Sequence, residues 1–259
     1  MSKKTVIDSL LFLVILSFIW GSFLNVVAYR LMHNKSIVAP RSFCPHCKKT
    51  IVWYDNIPVL SWLLLRAKCR NCKKPISFLY PFIELLTAAS FTLLYYFEPT
   101  YFPAYAFFFS ALIVIIRTDL EYMLISRVST LWLIPCAYAL SYLDMLPLTL
   151  QESVIGSVVG YLTLFLVAHV FYVITKKQGM GEGDFDLLAL IGAFVGLQGI
   201  FITLLIGSWI GTITSIAYIF IAGKNLQVKI PFGPFLALGA MSYVLWHDAI
   251  EQIISHLQY

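Results

Sequence analysis

Four of the five cysteines in this 259-residue chain form two CxxC pairs, Cys44 with Cys47 and Cys69 with Cys72. Two such pairs, here separated by 21 residues, suit a tetrahedral site in which four thiolates bind one zinc ion. The same pattern also occurs in redox-active or disulfide-bonded CxxC motifs. Four sulfur ligands leave no open position for a substrate. We therefore predict a structural zinc site rather than a catalytic one.

The acidic residues are few, and five of them lie in two short segments beside apolar runs. Asp119 and Glu121 follow one run, whereas Glu182, Asp184 and Asp186 precede another. Two carboxylates brought together at a low-dielectric edge cannot both ionise easily, so one keeps its proton while the other activates water, as in aspartic proteases. An Asp before an apolar run is also a common helix cap. The clustering favours a catalytic pair made of Asp119 and Asp184.

Two glycines accompany the second aspartate of this pair. Gly181 and Gly183 belong to a GEGD sequence that ends at Asp184. Because glycine has no Cβ, the backbone here can turn sharply and approach a substrate chain closely. A position near the N-terminus of the following helix also stabilises a carboxylate charge.

Long apolar segments must position these residues. The chain is 60% hydrophobic and 12% charged, with a mean hydropathy of +0.83, whereas a soluble domain carries about 25% charged residues. This composition excludes an ordinary soluble enzyme, a disordered chain and a secreted disulfide scaffold. It indicates an all-α integral membrane protein of about eight transmembrane helices. The predicted spans lie near Ile7–Leu31, Leu79–Phe97, Tyr101–Ile116, Val128–Leu143, Ser153–Thr175, Leu187–Leu197, Ile200–Ala222 and Phe232–Ile254.

The sixth of these spans is short, and we expect it to break or merge with the seventh around Gln198–Gly199. Sixteen of the 18 Lys and Arg residues fall in the odd-numbered loops, which the positive-inside rule assigns to the cytoplasm. Both termini then face outward, and the cysteine loop and both acidic segments face inward. The net charge of +5 is thus explained by topology, and no nucleic-acid partner is predicted.

Three parts follow along the chain. Residues 1–32 are predicted to form the first transmembrane helix, residues 33–78 a cytoplasmic zinc-binding loop, and residues 79–259 a transmembrane aspartyl protease core. Stable disulfides are disfavoured in the cytoplasm, which supports zinc over a disulfide for the four cysteines.

Five motifs in order make the chain resemble the type IV prepilin peptidases, the bifunctional leader peptidase/N-methyltransferases of type IV pilus and type II secretion systems. They comprise a first-span motif, the cysteine loop, the segment after it, a GxGD motif and a last-span motif. In this chain they are GSFLNVVAYRL (21–31), the stretch 44–77, YPFIELL (80–86), GEGDFDLLALIGAFVG (181–196) and IPFGPFLALG (230–239).

The resemblance implies an aspartic endopeptidase of the bacterial inner membrane that cuts the basic leader from prepilins or pseudopilins after a glycine. It also implies methylation of the new N-terminal residue, usually Phe, with S-adenosylmethionine, and contacts with pilus or secretion assembly proteins. It places the catalytic pair on Asp119 and Asp184, with an acidic cluster suited to a basic leader. The supporting residues are Gly181, Gly183, Glu121, Glu182 and Asp186, and the methyl-transfer candidates are Gly21, Asn25 and Glu84. For Asn25 and Glu84, hydrogen bonding between helices is the alternative role.

The chain departs from the family pattern at three places. Ile125, Ser126 and Arg127 stand where the family usually has Ile-Pro-Asp, Asp186 replaces a usual Lys, and Met32 replaces a usual Pro. The first two departures change local charge. We hypothesise that Arg127 pairs with Asp186 and partly restores the usual balance.

Two other function classes fit parts of the sequence. A transporter or channel could use the carboxylates to relay protons or bind cations, but such acids tend to lie near the bilayer midplane. A membrane anchor could use the zinc loop to bind a partner, but it would leave the paired aspartates without a role. A zinc protease would need an HExxH motif, which the chain lacks.

Overall fold

A computed structural model describes residues 3–39, 41–222, 230–247 and 249–250. Over these residues the chain is helical, with turns and two isolated β-bridges but no strand, so the all-α prediction is confirmed. Short 3-10 turns occur at Trp53–Asn56, Arg127–Ser129 and Leu131–Leu133. The α-helices are α1 (Lys3–Met32), α2 (Leu60–Leu64), α3 (Leu79–Phe97), α4 (Phe102–Tyr122), α5 (Ile134–Tyr142), α6 (Leu150–Thr175), α7 (Glu182–Ala222) and α8 (Gly233–Leu245).

Within the described ranges, four helices are long and apolar enough to cross a membrane. They cover Asp8–Met32, Phe102–Tyr122, Leu150–Thr175 and Glu182–Ile221. Helical structure also lies at each of the other predicted spans, and α3 matches its predicted bounds at both ends. The further crossings needed to reach eight stay a prediction, and the last predicted span, Phe232–Ile254, includes residues 248 and 251–254, which lie outside the described residues.

Two predicted spans differ from the observed helices for local reasons. The break expected around Gln198–Gly199 lies at Gly196, which adopts φ 68° and ψ −171° inside α7, a conformation that glycine tolerates and other residues do not. The span predicted at Val128–Leu143 is two 3-10 turns followed by the nine-residue α5. Pro135 lies in the first turn of α5, where its fixed φ suits a helix start.

The chain divides into two compact units, residues 1–96 and 97–259. In the first unit α1 and α3 approach closely at Gly21, where a Cβ atom would lie 2.9 Å from the Cα of Glu84. Asn25 joins the same two helices, because its Nδ2 donates to the carbonyl oxygen of Tyr80 at 3.1 Å. Small and polar residues of this kind are typical of helix contacts inside membranes.

The second unit is built around α7, which packs on α6 and α8. A Cβ atom on Gly156 or Gly192 would lie 2.2 Å from the other residue's carbonyl oxygen, so these two helix backbones touch. Ser153 Oγ adds a bond to the Ala193 carbonyl at 2.6 Å. On the other side of α7, a Cβ atom on Gly239 of α8 would lie 2.5 Å from the carbonyl oxygen of Thr203. This packing positions α7, whose first turn contains Asp184.

Candidate active site and metal centre

Asp119 lies in the last turn of α4 and is 6% exposed. Its Oδ2 accepts a hydrogen bond from the backbone N–H of Gly233, at 3.0 Å. Gly233 begins α8, and the first N–H groups of a helix have no partner within it and attract negative charge. Helix α4 ends directly afterwards, because Met123 adopts a left-handed φ of 52° and its N–H caps the Asp119 carbonyl. The carboxylate is therefore held between the end of one helix and the start of another.

Asp184 lies in the first turn of α7 and is partly buried. Gly181 lies beside its carboxylate, and Asp119 is close enough for the two charges to interact. A Cβ atom on Gly181 would lie 3.7 Å from Asp184 Oδ2, which is an ordinary contact distance. The structure thus brings together the two aspartates that were predicted from the sequence to act as a pair.

The side chain of Ile125 fills the space between two glycines of this site. A Cβ atom on Gly183 would lie 2.8 Å from Ile125 Cβ, and one on Gly233 would lie 3.0 Å from Ile125 Cδ1 and 2.7 Å from Asp119 Oδ2. Ile125 and Gly233 were not among the predicted site residues. The motif at 230–239 was the available signal for Gly233, but its spacing does not show that the segment folds back onto α4.

Ion pairs engage the other three acidic residues. Arg127 contacts Glu182 (Nη2 to Oε2, 3.0 Å) and Asp186 (Nε to Oδ2, 3.5 Å). The hypothesised pairing of Arg127 with Asp186 is therefore present, and Glu182 is an additional partner. Glu121 pairs with the fully buried Arg117 of its own helix. In the described part of the chain, Asp119 and Asp184 are the members of the acidic cluster with no ion pair to Lys or Arg.

The four predicted zinc ligands converge on one point. The sulfur atoms of Cys44, Cys47, Cys69 and Cys72 all lie within 4.8 Å of one another, and those of Cys44 and Cys72 are 3.8 Å apart. A tetrahedral zinc ion with Zn–S bonds of about 2.3 Å requires sulfur atoms about 3.8 Å apart. All five cysteines of the chain are free thiols. The residues present thus fit a metal ion without rearrangement.

The two CxxC knuckles have the same backbone hydrogen bonds. The N–H of Cys44 donates to the Lys49 carbonyl at 2.9 Å, and the N–H of Cys69 donates to the Lys74 carbonyl at 2.9 Å. The residue after each second cysteine, Lys48 or Lys73, adopts a left-handed φ of 59°. The repeated CxxCKK sequence is the signal for this duplication, and it extends beyond the CxxC spacing from which the metal site was predicted.

The crowded thiols differ in acidity. The backbone N–H of Cys72 donates to the sulfur of Cys69 and is the main reason that the pKa of Cys69 falls to about 7. The backbone N–H of Lys74 lowers the pKa of Cys72, but burial and the neighbouring sulfurs outweigh it and raise this pKa to about 11. One thiol therefore loses its proton readily while another retains it. A divalent cation would allow all four to ionise.

The three methyl-transfer candidates lie together in the first unit. Asn25 Nδ2 donates to the Gly21 carbonyl at 3.3 Å, and Gly21 faces the backbone of Glu84. The carboxylate of Glu84 is largely buried, and its Oε2 accepts a hydrogen bond from the backbone N–H of Val59 at 2.7 Å. These contacts give each residue a packing or anchoring role at the junction of α1, α3 and the cysteine loop.

Known families match the chain in two successive stretches. Residues 15–97 match the Bacterial Peptidase A24 N-terminal domain, and residues 106–216 match the Type IV leader peptidase family. A prepilin leader peptidase/N-methyltransferase of Aeromonas hydrophila is 37% identical over 270 residues, which cover 94% of this chain and 92% of that relative. The chain belongs to the type IV leader peptidase family. The resemblance found from its motifs is confirmed.

Other prepilin leader peptidase/N-methyltransferases are similar over most of their length. The protein of Legionella pneumophila is 34% identical over 255 residues, covering 89% of this chain and 88% of the relative. That of Pseudomonas aeruginosa is 31% identical over 271 residues, covering 95% and 92%. No solved structure matches the chain.

The candidate residues of this leader peptidase family member fall into two groups, one in each matched stretch. The N-terminal match contains the four cysteines and the three methyl-transfer candidates, whereas the leader peptidase match contains both aspartates. Gly233, which donates to Asp119, lies beyond the second match.

Proposed function

We propose that this protein cleaves the basic leader of type IV prepilins or pseudopilins after a glycine, by a two-aspartate mechanism. It then methylates the new N-terminal residue, usually Phe, with S-adenosylmethionine as donor. The observation that carries this proposal is that Asp119 of α4 lies close enough to Asp184 of α7 for their charges to interact, at a partly buried site in a chain of the leader peptidase family.

The cleavage chemistry follows from two carboxylates that share one proton. The ionised carboxylate takes a proton from a water molecule as the water oxygen attacks the scissile carbonyl carbon, and the protonated one donates to the carbonyl oxygen. Proton return to the leaving amine then breaks the C–N bond. The N–H of Gly233 holds one oxygen of Asp119 in place during these steps, and the glycines of the GEGD sequence leave room for the substrate backbone.

For topology, we propose eight spans in the bacterial inner membrane, with α7 crossing as two helices divided at Gly196 and both termini outside. The distribution of Lys and Arg supports cytoplasmic placement of the cysteine loop and both aspartates. A periplasm-dependent reporter fused at Asp144 should then be active, and one fused at Gly179 should be inactive. The reverse result would contradict this orientation.

We propose that the metal held by the four cysteines is a structural zinc ion. A loop of residues 33–78 has little apolar core of its own, since its large apolar residues are mostly exposed. Metal binding would then supply much of its folding free energy. The closed sulfur shell gives this zinc no part in cleavage.

The whole activity is tested by incubating the purified protein in lipid with a prepilin and methyl-labelled S-adenosylmethionine. Mass spectrometry should show the leader released after its glycine, and the label should appear on the new N-terminus of the pilin and not on the leader. Intact prepilin with no label transfer would exclude the enzyme and favour the transporter or anchor alternatives.

The contact between Gly233 and Asp119 predicts a strong effect of Gly233→Ala. Alanine favours a helix by about 0.5–1 kcal/mol over glycine, so propensity alone predicts no harm. Its Cβ atom would lie 2.7 Å from Asp119 Oδ2 and must displace the carboxylate, and such misplacement can cost about 10²-fold in rate. We expect kcat/KM for cleavage to fall by about that factor with unchanged protein level. Gly181→Ala, where the new contact is 3.7 Å, should lose less. A larger loss in Gly181→Ala would contradict this ranking.

The ion pair between Arg127 and Asp186 predicts non-additive substitutions. The Asp186 side chain is 6% exposed, so reversing Arg127 leaves a buried carboxylate facing a like charge, which is costly. We expect Arg127→Asp and Asp186→Lys each to lower cleavage about 10-fold, and the double substitution to recover most of that loss, because contacting charges couple. The double variant has the residues usual in the family at both positions. The measurement is the cleavage rate of the wild type, the two single variants and the double variant. A double variant that cleaves no faster than either single variant would contradict the pairing.

We further propose that Gly21, Asn25 and Glu84 adjoin the methyl-donor site, where the Glu84 carboxylate favours the cationic sulfonium of S-adenosylmethionine. In Glu84→Gln the amide oxygen can still accept the Val59 N–H, but the charge is lost. Methylation of a pre-cleaved pilin should fall about 30-fold or more, since truncating a buried charge contact costs about 2–5 kcal/mol, while leader cleavage stays nearly unchanged. Equal loss of both activities would assign Glu84 to folding alone.

A further inference from the structure

The short helix α2 in the cysteine loop has an apolar face that nothing covers in the described structure. Leu60, Leu63 and Leu64 are spaced i, i+3 and i+4, so they lie on one side of the helix, and they are 58%, 57% and 84% exposed. The opposite side packs inward. Trp62 donates from Nε1 to the Ile76 carbonyl at 3.1 Å and meets the ring of Phe78 edge-on at 5.9 Å.

The position of α2 along the membrane-spanning helices is fixed by Glu84. The backbone N–H of Val59, the residue before α2, donates to Glu84 Oε2 at 2.7 Å. Glu84 faces Gly21 of α1. Gly21 lies eleven residues before Met32, where the apolar span of α1 ends, and eleven residues correspond to about 16 Å along a helix. Helical side chains tilt toward the N-terminus, so the start of α2 lies between that level and the first turn of α3. In the topology proposed above, the start of α2 therefore lies beside the cytoplasmic end of α3.

The charges around α2 are complementary to an anionic lipid surface. Residues 33–78 contain nine Lys and Arg but one acidic residue, Asp55, which is bound by Arg70 at 2.6 and 2.7 Å. Arg66 and Lys68 follow directly after α2 and are exposed. Basic residues beside an anionic leaflet contribute about 1 kcal/mol each, and an amphipathic segment with apolar residues on one side lies in the interface plane.

We propose that the Leu60–Leu63–Leu64 face of α2 is inserted into the headgroup–acyl boundary of an anionic bilayer, and that the neighbouring basic residues bind its phosphate groups. The cysteine loop is thereby held flat against the membrane by lipid as well as by Glu84. The inference rests on the membrane topology proposed above and is independent of the enzymatic activity.

The test is photo-crosslinking of the full-length protein in vesicles of phosphatidylcholine and phosphatidylglycerol. Benzoylphenylalanine in place of Leu64 should form lipid adducts, as should the same group in place of Leu166, a 55% exposed residue of the candidate span α6. In place of Asn71, an exposed residue of the second CxxC knuckle, it should form none. Unchanged metal content in each variant shows that the loop remains folded.

Replacing phosphatidylglycerol by phosphatidylcholine should lower the adduct yield at position 64 several-fold and leave the yield at position 166 unchanged. Adducts at position 166 but none at position 64 would overturn the proposal, as would crosslinks from position 64 to a second copy or to another protein. Equal yields at positions 64 and 71, or no dependence on lipid charge, would also overturn it.

Discussion

Asp119→Asn and Asp184→Asn are each expected to abolish leader cleavage, with a loss of at least about 10³-fold in kcat/KM, as for members of other catalytic units. Asparagine has nearly the same shape as aspartate but can neither take a proton from water nor carry a charge. Either substitution therefore leaves a single carboxyl group, which has no partner carboxylate with which to share a proton. In Asp119→Asn the new amide oxygen can still accept the hydrogen bond from the Gly233 N–H, so this variant should keep its fold.

A matched control for these variants is Asp144→Asn. Asp144 is an exposed residue with a left-handed φ of 55°, a conformation that asparagine also accepts. Its cleavage rate should equal that of the wild type. The measurement is mass spectrometry of the released leader from purified protein, with methylation of a pre-cleaved pilin as a second readout that both active-site variants should retain. Leader cleavage at the wild-type rate by either active-site variant would refute the aspartyl mechanism.

Cys44→Ser is expected to have the second large effect, because it opens the four-sulfur shell. Serine is a poor ligand for zinc, and structural zinc sites supply apparent binding free energies of about 10–16 kcal/mol that count toward folding. Bound zinc should fall from one ion per chain toward none. Because the cysteines and the methyl-transfer candidates lie in the first unit, protein level and methylation should drop more than cleavage per remaining molecule.

Cys136→Ser is the matched control for this substitution. Cys136 is the fifth cysteine, is exposed in α5 and lies outside the metal cluster, so its replacement should leave metal content and both activities unchanged. Metal analysis of the purified variants and a methylation assay provide the comparison. Full methylation by a zinc-free Cys44→Ser protein would contradict a structural role for the metal.

Local sequence patterns were sufficient to predict several parts of the molecule. Each CxxC pair could be predicted to form a knuckle because that turn depends on its own six residues, and the two pairs could be expected to meet because four thiolates complete one tetrahedral metal shell. The bounds of α3 follow from a continuous apolar run that ends at Phe97. The proximity of Asp119 and Asp184 could be predicted because these scarce carboxylates lie beside apolar runs in two short segments.

Contacts between distant segments could not be predicted in this way. The bond from Gly233 to Asp119 joins residues 114 positions apart, and no period or spacing encodes that fold-back. The packing of Ile125 between two glycines has the same origin. The break in α7 was predicted two or three residues too late, at Gln198–Gly199 instead of Gly196. The prediction relied on the polar Gln198, whereas the break depends on the backbone freedom of a glycine.

The partners of the acidic residues were predicted only in part. Arg127 and Asp186 both differ in charge from the residues usual in the family, which was sufficient to suggest that they pair. That Glu182 lies nearer to Arg127 than Asp186 does could not be predicted, because it depends on the turn at the start of α7. The acidic cluster was expected to attract a basic leader. The structure engages three of its members with arginines, and Asp119 and Asp184 are the two members that these ion pairs do not include.

The most direct test of the shared proton measures leader cleavage by four purified proteins: the wild type, Asp119→Asn, Asp184→Asn and the double variant. If the two carboxylates act as one unit, the double variant will be no slower than either single variant, because the first substitution already removes the function of the second. Losses that multiply in the double variant, or a single variant that cleaves at the wild-type rate, would show that Asp119 and Asp184 do not work as a pair.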